Sequence, residues 1–517
     1  MPNGDRNGES RWLNIVSAQQ VKELCQSHRN DGSIIALCHG VFDILHPGHL
    51  EHLAEAKEIA DILVVSVTAD RYVNKGPGRP VLNQDSRAKM LASLDLVDYV
   101  FISDFPTAVE SIGLVRPNFF VKGPDYRDSN SDISGNIDKE VRAVADAGGK
   151  VVFTNAPSMS SSALINNAGL GQENELRTWL GEIRTSVSSD DVSHWVEGFR
   201  SLKVLVIGEI IVDRYIFCDA LGKTSKEPVL AFLEKSQEEQ LGGSLAIARH
   251  VSGLGAKTTL LSRLGDDELG STLKKQIDRT EVFHSVIHSS NHSNTIVKTR
   301  FLDEHTGTKV FETYTMSDDP PEQKDEQEFI ELLDKVGEDF DLVLVADYGH
   351  GLLSDRVVQA LCSKSLTLSI NTQSNAGNRG FNSISRYPKA DIVCLNGGEI
   401  SLELRKKHTT VPQLLPELGG ITGAEWIVVT EGARGLAMWN KELGVTSVPA
   451  FTEQVRDRVG AGDALFAAVS LGLIAGAPSE IVGLFGNLAG ASMVSDLGNR
   501  YSLNSIDLIR HSQIALK

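Results

Sequence analysis

Cysteine is scarce in this sequence of 517 residues: there are five, they are widely spaced, and no two of them form a C-x-x-C pair. An odd and dispersed set argues against a disulfide framework and against a zinc site built on cysteine pairs. We therefore expect reduced thiols that are mostly buried. The five are Cys25, Cys38, Cys218, Cys362 and Cys394.

The chain also lacks an excess of positive charge and any long apolar run. Its formal net charge of −18 argues against a general binder of nucleic acid or of anionic membranes, because clustered Lys and Arg contact those partners. No apolar run approaches membrane-spanning length, and the first residues, MPNGDRNGES, are polar. We expect a soluble cytoplasmic protein, without a nucleic-acid or membrane partner, that binds anionic substrates through local features.

The length of the chain favours more than one domain, since single cores stop growing near about 250–300 residues. Strands alternate with helices in both halves, which predicts parallel, doubly wound α/β sheets with ligands outside the carboxyl ends of the strands. Between the halves, apolar density falls while Gly, Ser and acidic residues rise. We predict an N-terminal extension (1–32) that is disordered at its start, a first domain (33–166), a helical linker (167–200) and a second domain (201–517).

The stretch from His39 to His49, HGVFDILHPGH, is the strongest motif of the first domain. It follows an apolar run and opens a helical pattern whose apolar residues share one stripe, which predicts a strand, a tight loop and a helix. His46 and His49 are three positions apart at the start of that helix, where backbone N–H groups and the positive end of the dipole attract anions. The spacing predicts a phosphate site; two surface histidines near a helix start are the alternative.

This stretch resembles the HxGH signature of the nucleotidyltransferase superfamily, in the form GxFDxxHxGH. Residues 33–166 as a whole resemble the adenylyltransferase half of the bifunctional heptose kinase/heptose-1-phosphate adenylyltransferase family. The resemblance implies a Rossmann-like nucleotidyltransferase domain. The matching pieces are GVFDILHPGH, RPV at 79–81, Arg87, VKGPDY at 121–126 and SSSALI at 160–165.

The same resemblance implies roles for individual residues. His46 and His49 hold the nucleotide phosphates as charge develops, since positioning and charge stabilisation are the main requirements of such a transfer. His39 departs from the family, which more often has Asn, Tyr or Thr at that position. A solvated lysine at position 122 and a helix cap in the serine run are the alternatives. The further implied nucleotide or phosphate contacts are Gly40, Phe42, Lys122, Ser160 and Ser161.

The second domain contains neither a G-x-G-x-x-G after a strand nor a Walker A motif, so neither a dinucleotide fold nor a P-loop explains it. Its motif GAGD, Gly460-Ala461-Gly462-Asp463, precedes a helical pattern. Residues 201–517 resemble the ribokinase-like, PfkB-type sugar kinases, and within them the heptose kinase half of the same family. The resemblance implies that the glycine-rich backbone forms an anion hole for the transferring phosphoryl group, with Asp463 as general base. An ordinary loop with Asp near a helix start is the alternative.

Three further pieces of this half resemble the kinase family. Asn396 and Glu399 match an N-x-x-E element associated with nucleotide and Mg²⁺, and Asp213 matches an aspartate that contacts the sugar. The basic segment 298–300, Lys-Thr-Arg, stands where relatives carry a similar strand. The alternatives are a turn residue at Asn396, a solvated strand-end carboxylate at Asp213 and an edge-strand charge run at 298–300.

Two departures from the kinase family bear on substrate and activity. The heptose kinase helix begins G-G-A-A-N, so Gly242 and Gly243 match as substrate-binding residues, but Ala246 replaces the Asn that contacts sugar. A D-P-K-G segment of the relatives is replaced by INTQS at 370–374, which removes a lysine near the phosphate path. The order of the two halves is also reversed relative to the bacterial family.

We therefore expect a two-domain α/β enzyme, a nucleotidyltransferase followed by a ribokinase-like kinase, that makes a nucleotide-activated sugar as in ADP-heptose synthesis. Its substrates are a sugar phosphate and ATP or CTP, with Mg²⁺ carried by the nucleotide phosphates instead of a protein cage, and it is a homo-oligomer. The alternative is a nucleotidyltransferase for another sugar or polyol phosphate whose second domain is a binding or dimerisation module. Ala246 and the missing lysine favour that alternative, and the intact GAGD disfavours it.

Overall fold

The computed structural model describes residues 12–76, 78–124, 137–155, 174–280, 282–317, 319, 321–378, 380–451 and 455–517. The chain forms two compact units that divide between Arg177 and Thr178. Among the described residues, no helix is long and apolar enough to cross a membrane. Most of the segment predicted to be disordered at the N-terminus lies outside the described residues.

The first unit is built on one sheet of five parallel strands in the order β3-β2-β1-β4-β5. The strand order reverses between β1 and β4, and the carboxyl ends of strands at such a reversal form a ligand-binding crevice. This is the predicted doubly wound arrangement. Its strands are β1 (Ile35–Gly40), β2 (Ile62–Thr68), β3 (Tyr99–Ser103), β4 (Phe119–Lys122) and β5 (Lys150–Phe153), and its helices are α1 (Ala18–Asn30), α2 (Pro47–Glu58), α3 (Gln84–Ala92), α4 (Ala108–Val115) and α5 (Ile137–Asp146).

Alternating residues of β1 place apolar side chains on both faces of this sheet. Ile35 and Leu37 belong to one buried cluster together with Val21 of α1. Ala36 belongs to a second cluster together with Leu53 of α2. A strand buried on both faces is expected to be apolar at every position, which explains the uninterrupted apolar sequence of β1.

The helix α1 lies within residues 1–32, the segment predicted as an N-terminal extension, and it is part of the packed first unit. Ser17 caps the helix through a capping box with Gln20, which satisfies backbone N–H groups at its start. Just before it, the Val16 amide donates to the Val100 carbonyl at 2.9 Å. Because Val21 is fully buried under the sheet, removing this segment would expose the core.

The second unit contains a nine-stranded sheet and a separate four-stranded sheet. The large sheet has the order β10-β9-β6-β13-β14-β15-β16-β17-β18, and the small one has the order β12-β11-β7-β8. The strands are β6 (Lys203–Gly208), β7 (Ile210–Lys223), β8 (Leu230–Gly243), β9 (Lys257–Gly265), β10 (His284–Ser290), β11 (Ile296–Asp303), β12 (Lys309–Thr315), β13 (Leu342–Asp347), β14 (Leu368–Thr372), β15 (Ile392–Asn396), β16 (Trp426–Thr430), β17 (Leu436–Asn440) and β18 (Gly444–Val448).

The helices of this unit pack on the large sheet, with a core cluster that joins β6, β13, β14, β15 and β16 to the helices beside them. They are α6 (Asn174–Ile183), which spans the division between the units, α7 (Ser189–Gly198), α8 (Ser244–Gly253), α9 (Glu268–Asp278), α10 (Gln323–Val336), α11 (Asp355–Cys362), α12 (Gly397–Glu403), α13 (Val411–Thr422), α14 (Ala461–Ile474), α15 (Ser479–Val494) and α16 (Ser505–Leu516).

The described part of the segment predicted as a helical linker, residues 174–200, contains two α-helices, and the second of them packs within the second unit. Val192 and Val196 of α7 are buried, and this helix contacts α16. Arg184 donates to the carbonyl of Ala515 at 2.9 Å. The apolar residues of this segment are few, but they lie on one face of each helix, and that face is buried.

Candidate active sites

The two histidines of HPGH stack on each other at the start of α2, in the first unit. Their ring centroids are 3.9 Å apart, and His46 is the N-cap residue of the helix. Within the described residues, both ring nitrogens of His46 and the Nδ1 of His49 are buried without a hydrogen-bond partner. Buried polar atoms are normally paired, so these nitrogens are arranged for a group that the protein itself does not supply.

The surroundings of both imidazoles lower their pKa and so disfavour the protonated form. Burial lowers the pKa of His49 to about 3, helped by the charges of His46 and Lys75. The pKa of His46 is lowered as well, by burial and by Lys75. A neutral imidazole still donates one hydrogen bond, and the approach of a polyphosphate would favour its protonation.

Phe42 and Asp43 shape the loop between β1 and α2. Phe42 adopts a left-handed backbone with φ of 50°, and its ring packs edge-on against His49 at 5.3 Å between centroids. A Cβ at Gly40 would lie 3.1 Å from the Phe42 ring, so glycine leaves room for it. Asp43 is buried and accepts hydrogen bonds from the Val81 and Leu82 amides, both at 3.0 Å. The motif aspartate thus fixes the RPV loop against the histidine loop.

Arg87, one of the matching pieces of the sequence, is fully buried and has a structural role. Its guanidinium donates to the carbonyls of Val41 at 2.5 Å and Thr68 at 2.8 Å, and to Asp70 at 2.5 Å. These contacts join the loops that follow β1 and β2. Arg87 therefore holds the rim of the site in place and is not itself available to a ligand.

Lys122 lies at the end of β4, on the same side of the sheet as the histidines. It is buried, forms an ion pair with Glu140 at 2.7 Å, and lies over the Phe120 ring at 5.3 Å. The alternative of a solvated lysine is therefore wrong. Ser160 and Ser161, the other predicted phosphate contacts, lie outside the described residues.

Two more histidines surround this site. His39, which departs from the family, contacts Ser66 at 2.8 Å, and burial lowers its pKa to about 3, with a smaller contribution from Lys122. His52 contacts Thr154 beside the end of β5 at 3.0 Å. His52 was missed in the sequence, although its position three residues after His49 on the same helix face is the signal that could have identified it.

The second unit has a cavity of about 780 Å³ at the carboxyl ends of the large sheet, beside the small sheet. It brings together most of the residues predicted for this half, which lie in distant parts of the sequence. The lining includes Asp213, Gly243, Lys298, Arg300, Tyr348, Asn396, Arg434, Arg458, Gly460, Ala461, Gly462, Asp463, Asn487 and Asn499.

The GAGD motif forms the start of α14. Gly460 is its N-cap, with φ of 83°, and a Cβ there would lie 2.0 Å from the Asn499 amide oxygen, so only glycine fits. Ala461 and Gly462 are in the first turn, where amide N–H groups have no partner inside the helix. Residues 460–462 line the cavity, so an anion bound there would be stabilised by the start of α14.

Asp463 is buried in the first turn of α14 and accepts a hydrogen bond from the Tyr348 hydroxyl at 2.8 Å. Burial raises the pKa of Asp463 to about 6, the charge of Asp213 adds to the rise, and the Tyr348 hydrogen bond and Lys298 oppose it. Such a carboxyl is ionised at neutral pH and still basic enough to take a proton from a hydroxyl.

Asp213 forms a buried ion pair with Arg300, with 2.5 Å between Oδ1 and the guanidinium. A Cβ at Gly242 would lie 2.3 Å from Asp213 Oδ2, so glycine at this position leaves room for the carboxylate. Lys298 is buried beside it and lies over the Tyr314 ring at 5.4 Å. The segment 298–300 belongs to β11, which lies between β12 and β7, so the edge-strand alternative is wrong.

The N-x-x-E element is a capping box at the start of α12. The Asn396 side chain accepts the amides of Gly398 and Glu399. Glu399 is buried, and its two carboxylate oxygens accept the amides of Asn396 at 2.7 Å and Ser374 at 2.9 Å. Asn396 lines the cavity, whereas the Glu399 carboxylate already has backbone donors for both oxygens.

The structure also identifies residues that sequence patterns did not assign. Glu209 is buried at the end of β6 and accepts the amides of Tyr348 and His350, both at 3.1 Å, which shapes the loop that carries Tyr348. The motif DYGHG after β13 was the available signal for this loop. No sequence pattern identified Asn499 as a site residue, because its spatial neighbours Asp213 and Gly460 are distant from it in the sequence.

Of the two departures from the family, Ala246 lies away from the cavity lining, whereas the INTQS segment reaches it through Gln373. Ala246 is buried in α8. Asn371, in the INTQS segment, lies in β14. Its side chain donates a hydrogen bond to the carbonyl of Cys394 at 2.9 Å and so links β14 to β15.

Comparison with protein families agrees with this geometry. The model of the pfkB family carbohydrate kinases matches residues 201–506, which is more than half of the chain. The chain belongs to the pfkB family. A second model, described as cytidylyltransferase-like, matches residues 37–167, so the order along the chain is nucleotidyltransferase-like unit first and pfkB kinase second.

Curated relatives match parts of this pfkB family member. The Bifunctional protein HldE of Aliarcobacter butzleri (strain RM4018) is 37% identical over 156 residues, which are 30% of this chain and 32% of the relative. The Bifunctional protein HldE of Nitrobacter winogradskyi is 25% identical over 303 residues, 58% of this chain and 62% of the relative. The chain therefore spans less than two thirds of the length of each of these relatives.

Solved structures show the fold of the second unit. Phosphofructokinase-2 from Escherichia coli, crystallised in complex with potassium, is similar with a TM-score of 0.52 at 16% identity, covering 61% of this chain and 100% of that chain. The predicted α/β class, with a Rossmann-like first unit and a ribokinase-like second unit, is confirmed.

Proposed function

We propose that this protein is a bifunctional sugar-activating enzyme that phosphorylates a sugar or sugar phosphate and transfers a nucleotidyl group to a sugar 1-phosphate. The observation that carries the proposal is that each unit places reactive side chains at the N-terminus of a helix. These are His46 and His49 on α2, and Asp463 on α14. Helix starts bind phosphate groups, and each of these also has groups suited to the transfer.

In the kinase step, the acceptor hydroxyl oxygen attacks the γ-phosphorus of ATP while the bond to the bridging β–γ oxygen breaks, and ADP leaves. Asp463 takes the hydroxyl proton, and Tyr348 orients its carboxylate. The amides of residues 460–462 stabilise charge on the transferring group. Lys298 adds a positive charge at the same end of the cavity.

In the nucleotidyl step, a phosphate oxygen of the sugar 1-phosphate attacks the α-phosphorus of the nucleoside triphosphate, and pyrophosphate leaves. His46 and His49 donate hydrogen bonds to phosphate oxygens through nitrogens that are unpaired in the described part of the protein. Lys122 lies at the end of the neighbouring strand and contributes positive charge to the phosphate site.

Mg²⁺ suits the kinase cavity when it arrives on the nucleotide phosphates. The Glu399 carboxylate is engaged by the amides of Asn396 and Ser374, so direct ligation by it would break the capping box. Mg²⁺ commonly keeps several waters and binds through substrate phosphates with few protein carboxylates. Bound in this way, the ion neutralises charge on the β- and γ-phosphates.

The sequence resemblance favours a heptose phosphate as the sugar, with ADP-heptose as the product. The donor is ATP or CTP. We further propose that residues 33–166 and 201–517 carry the two activities, while α1 and α7 belong to the same packed units. We also propose a homo-oligomeric assembly and a cytoplasmic location. All five cysteines are free, which suits a reducing compartment.

A second candidate keeps only the nucleotidyl transfer and makes the kinase unit a binding or dimerisation module. Ala246 and the segment 370–374 favour it, because Ala246 replaces the Asn that contacts sugar in the resembled family, and the segment lacks the lysine that the family carries near the phosphate path.

The deciding experiment incubates the protein with Mg²⁺ and ATP or CTP, and with panels of sugars, sugar phosphates and sugar 1-phosphates. ADP release measures the kinase, and the mass of a nucleotide sugar identifies donor and acceptor. Acceptor-dependent ADP release together with formation of a nucleotide sugar supports two activities, and ADP release without a nucleotide sugar refutes the nucleotidyl transfer. Nucleotide-sugar formation without any acceptor-dependent ADP release supports the second candidate, and the absence of both products refutes both.

A further inference from the structure

Asn499 lies in the loop between α15 and α16 and lines the same cavity as Asp463. Its side chain is buried, with 2% of the residue exposed. The amide nitrogen donates to Asp213 Oδ2 at 3.4 Å. The amide oxygen is buried and has no hydrogen-bond partner within the described residues. A buried acceptor without a donor is unfavourable, so the cavity lacks one donor at this point.

Charge fixes the orientation of this amide. Its nitrogen must face Asp213, because the flipped amide would put two acceptor oxygens against each other. The amide oxygen is then directed towards Gly460, whose Cβ position would lie 2.0 Å from it. Oδ1 therefore lies beside the glycine-rich helix start, in the cavity that Asp463 also lines.

A buried carboxylate keeps Asn499 in this place. Asp457 accepts the amide of Gly498, the residue before Asn499, at 3.1 Å and the amide of Arg458 at 2.7 Å. It thus ties the loop of Asn499 to the segment that leads into Gly460. A side chain held on such a support is preorganised for binding, because little of its freedom remains to be lost.

We propose that Asn499 binds a hydroxyl group of the kinase acceptor and sets acceptor specificity. The inference rests on the proposed kinase function and names the class of acceptor, a hydroxyl-rich sugar or sugar phosphate. Asn499 Oδ1 accepts a hydrogen bond from one hydroxyl. Asp213, held by Arg300, places a carboxylate next to it for a neighbouring hydroxyl. An acceptor that lacks the hydroxyl leaves the amide oxygen unpaired and is discriminated against.

The test measures Asn499→Ala and the near-isosteric Asn499→Asp in the full-length protein. The probes are D-glycero-D-manno-heptose 7-phosphate, fructose 6-phosphate, mannose 6-phosphate and ribose 5-phosphate, with ADP release as the readout. We expect the KM for the best acceptor to rise at least about tenfold in the alanine variant, and the ratios of kcat/KM among the four probes to change. The KM for ATP should stay within about twofold, since a general loss of structure would raise both.

Asn504→Ala is the matched control. Asn504 is exposed in the same loop and caps α16 through Asp507, so the same substitution there removes an amide that does not face the cavity. This variant should keep the acceptor ratios of the wild type. Unchanged acceptor KM and unchanged ratios in both Asn499 variants would overturn the inference.

Binding measurements separate this inference from the proposed function. If the wild type releases no ADP with any probe, thermal shifts with the same four probes take the place of kinetics. Acceptor binding that weakens at least about tenfold in Asn499→Ala would then support the role of Asn499 while refuting the kinase activity. Binding that is equal in wild type and variants, or absent in all, would overturn the inference.

Discussion

At the scale of single residues, two buried tyrosine–aspartate pairs in the second unit allow a controlled test of the base. Tyr348 donates to Asp463 at 2.8 Å, and Tyr387 donates to Asp347 at 2.8 Å. The pKa of both carboxyls is raised to about 6, by burial first, and the tyrosine hydrogen bond lowers it in each case. Only the first pair lines the cavity among the described residues.

Tyr348→Phe should therefore move the pH profile of phosphoryl transfer. In the wild type, kcat/KM for the acceptor should rise with pH and level off above about 6, when Asp463 is ionised. The variant loses a hydrogen bond that favours the charged form, so the pKa of Asp463 rises and the acid limb moves to higher pH. Tyr387→Phe should not shift the acid limb of the pH profile. Superimposable profiles for wild type and Tyr348→Phe would show that Asp463 is not the group that titrates.

At the scale of secondary structure elements, the capping box of α12 explains why an N-x-x-E spacing is found beside a nucleotide site. Both Glu399 oxygens accept backbone amides, one at the start of α12 and one at Ser374 after β14. The element thus fixes two pieces of the cavity wall relative to each other. Stability and ligand binding at this point depend on the same side chain.

Glu399→Ala should destabilise the second unit. It leaves the partly buried backbone amides of Asn396 and Ser374 without an acceptor, which costs about 1–3 kcal/mol and lowers Tm by several degrees. Gln413→Ala removes an exposed capping box at α13 and should cost about 1 kcal/mol or less. Thermal unfolding without ligands measures both. If Glu399→Ala unfolds like the wild type but no longer binds ATP, Glu399 acts on the nucleotide alone.

Strands and glycine loops could be predicted from the sequence because their signals are local. The apolar run before His39 gave β1, and GAGD gave the start of α14 within a few residues. The small sheet could not be predicted in this way, because β11 pairs with β7, whose residues are more than 80 positions earlier. The roles of Asn499 and Tyr348 could not be predicted for the same reason. Each contacts a residue that is distant in the sequence, Asp213 for Asn499 and Asp463 for Tyr348.

At the scale of the whole molecule, the division into two units predicts where the chain can be cut. A cut between residues 173 and 174 leaves α6 intact, whereas a fragment that begins at residue 201 loses α7. Val192 and Val196 of α7 are buried, and α7 contacts α16. The position of the cut should therefore matter to the second fragment.

We expect fragments 1–173 and 174–517 to fold independently, and fragment 201–517 to be less stable than 174–517. Exposing the apolar contacts of α7 costs about 25 cal/mol per Å² of surface, several kcal/mol for a buried helix face. Circular dichroism and thermal unfolding of the three fragments check this. Equal Tm values for the two C-terminal fragments would show that α7 is a linker after all, and fragments that fold only when mixed would show a shared core.

If the two activities reside in two separate sites, a substitution in one site should abolish one activity and leave the other unchanged. His46→Ala and His49→Ala each remove a preorganised phosphate contact, which should lower nucleotidyl transfer by about a hundredfold. Asp463→Asn removes the base and should nearly abolish phosphoryl transfer while ATP still binds to the amides of residues 460–462. His28→Ala, a histidine of α1 that contacts Tyr99, serves as the control.

The most direct measurement is mass spectrometry of the products that these variants form from Mg²⁺, ATP or CTP, and the panels of sugars, sugar phosphates and sugar 1-phosphates. We expect the His46 and His49 variants to lose the nucleotide sugar and keep the phosphorylated acceptor, and Asp463→Asn to show the reverse pattern. The wild type and His28→Ala should form both products. Loss of both products in every site variant, or retention of both, would contradict the assignment of one activity to each unit.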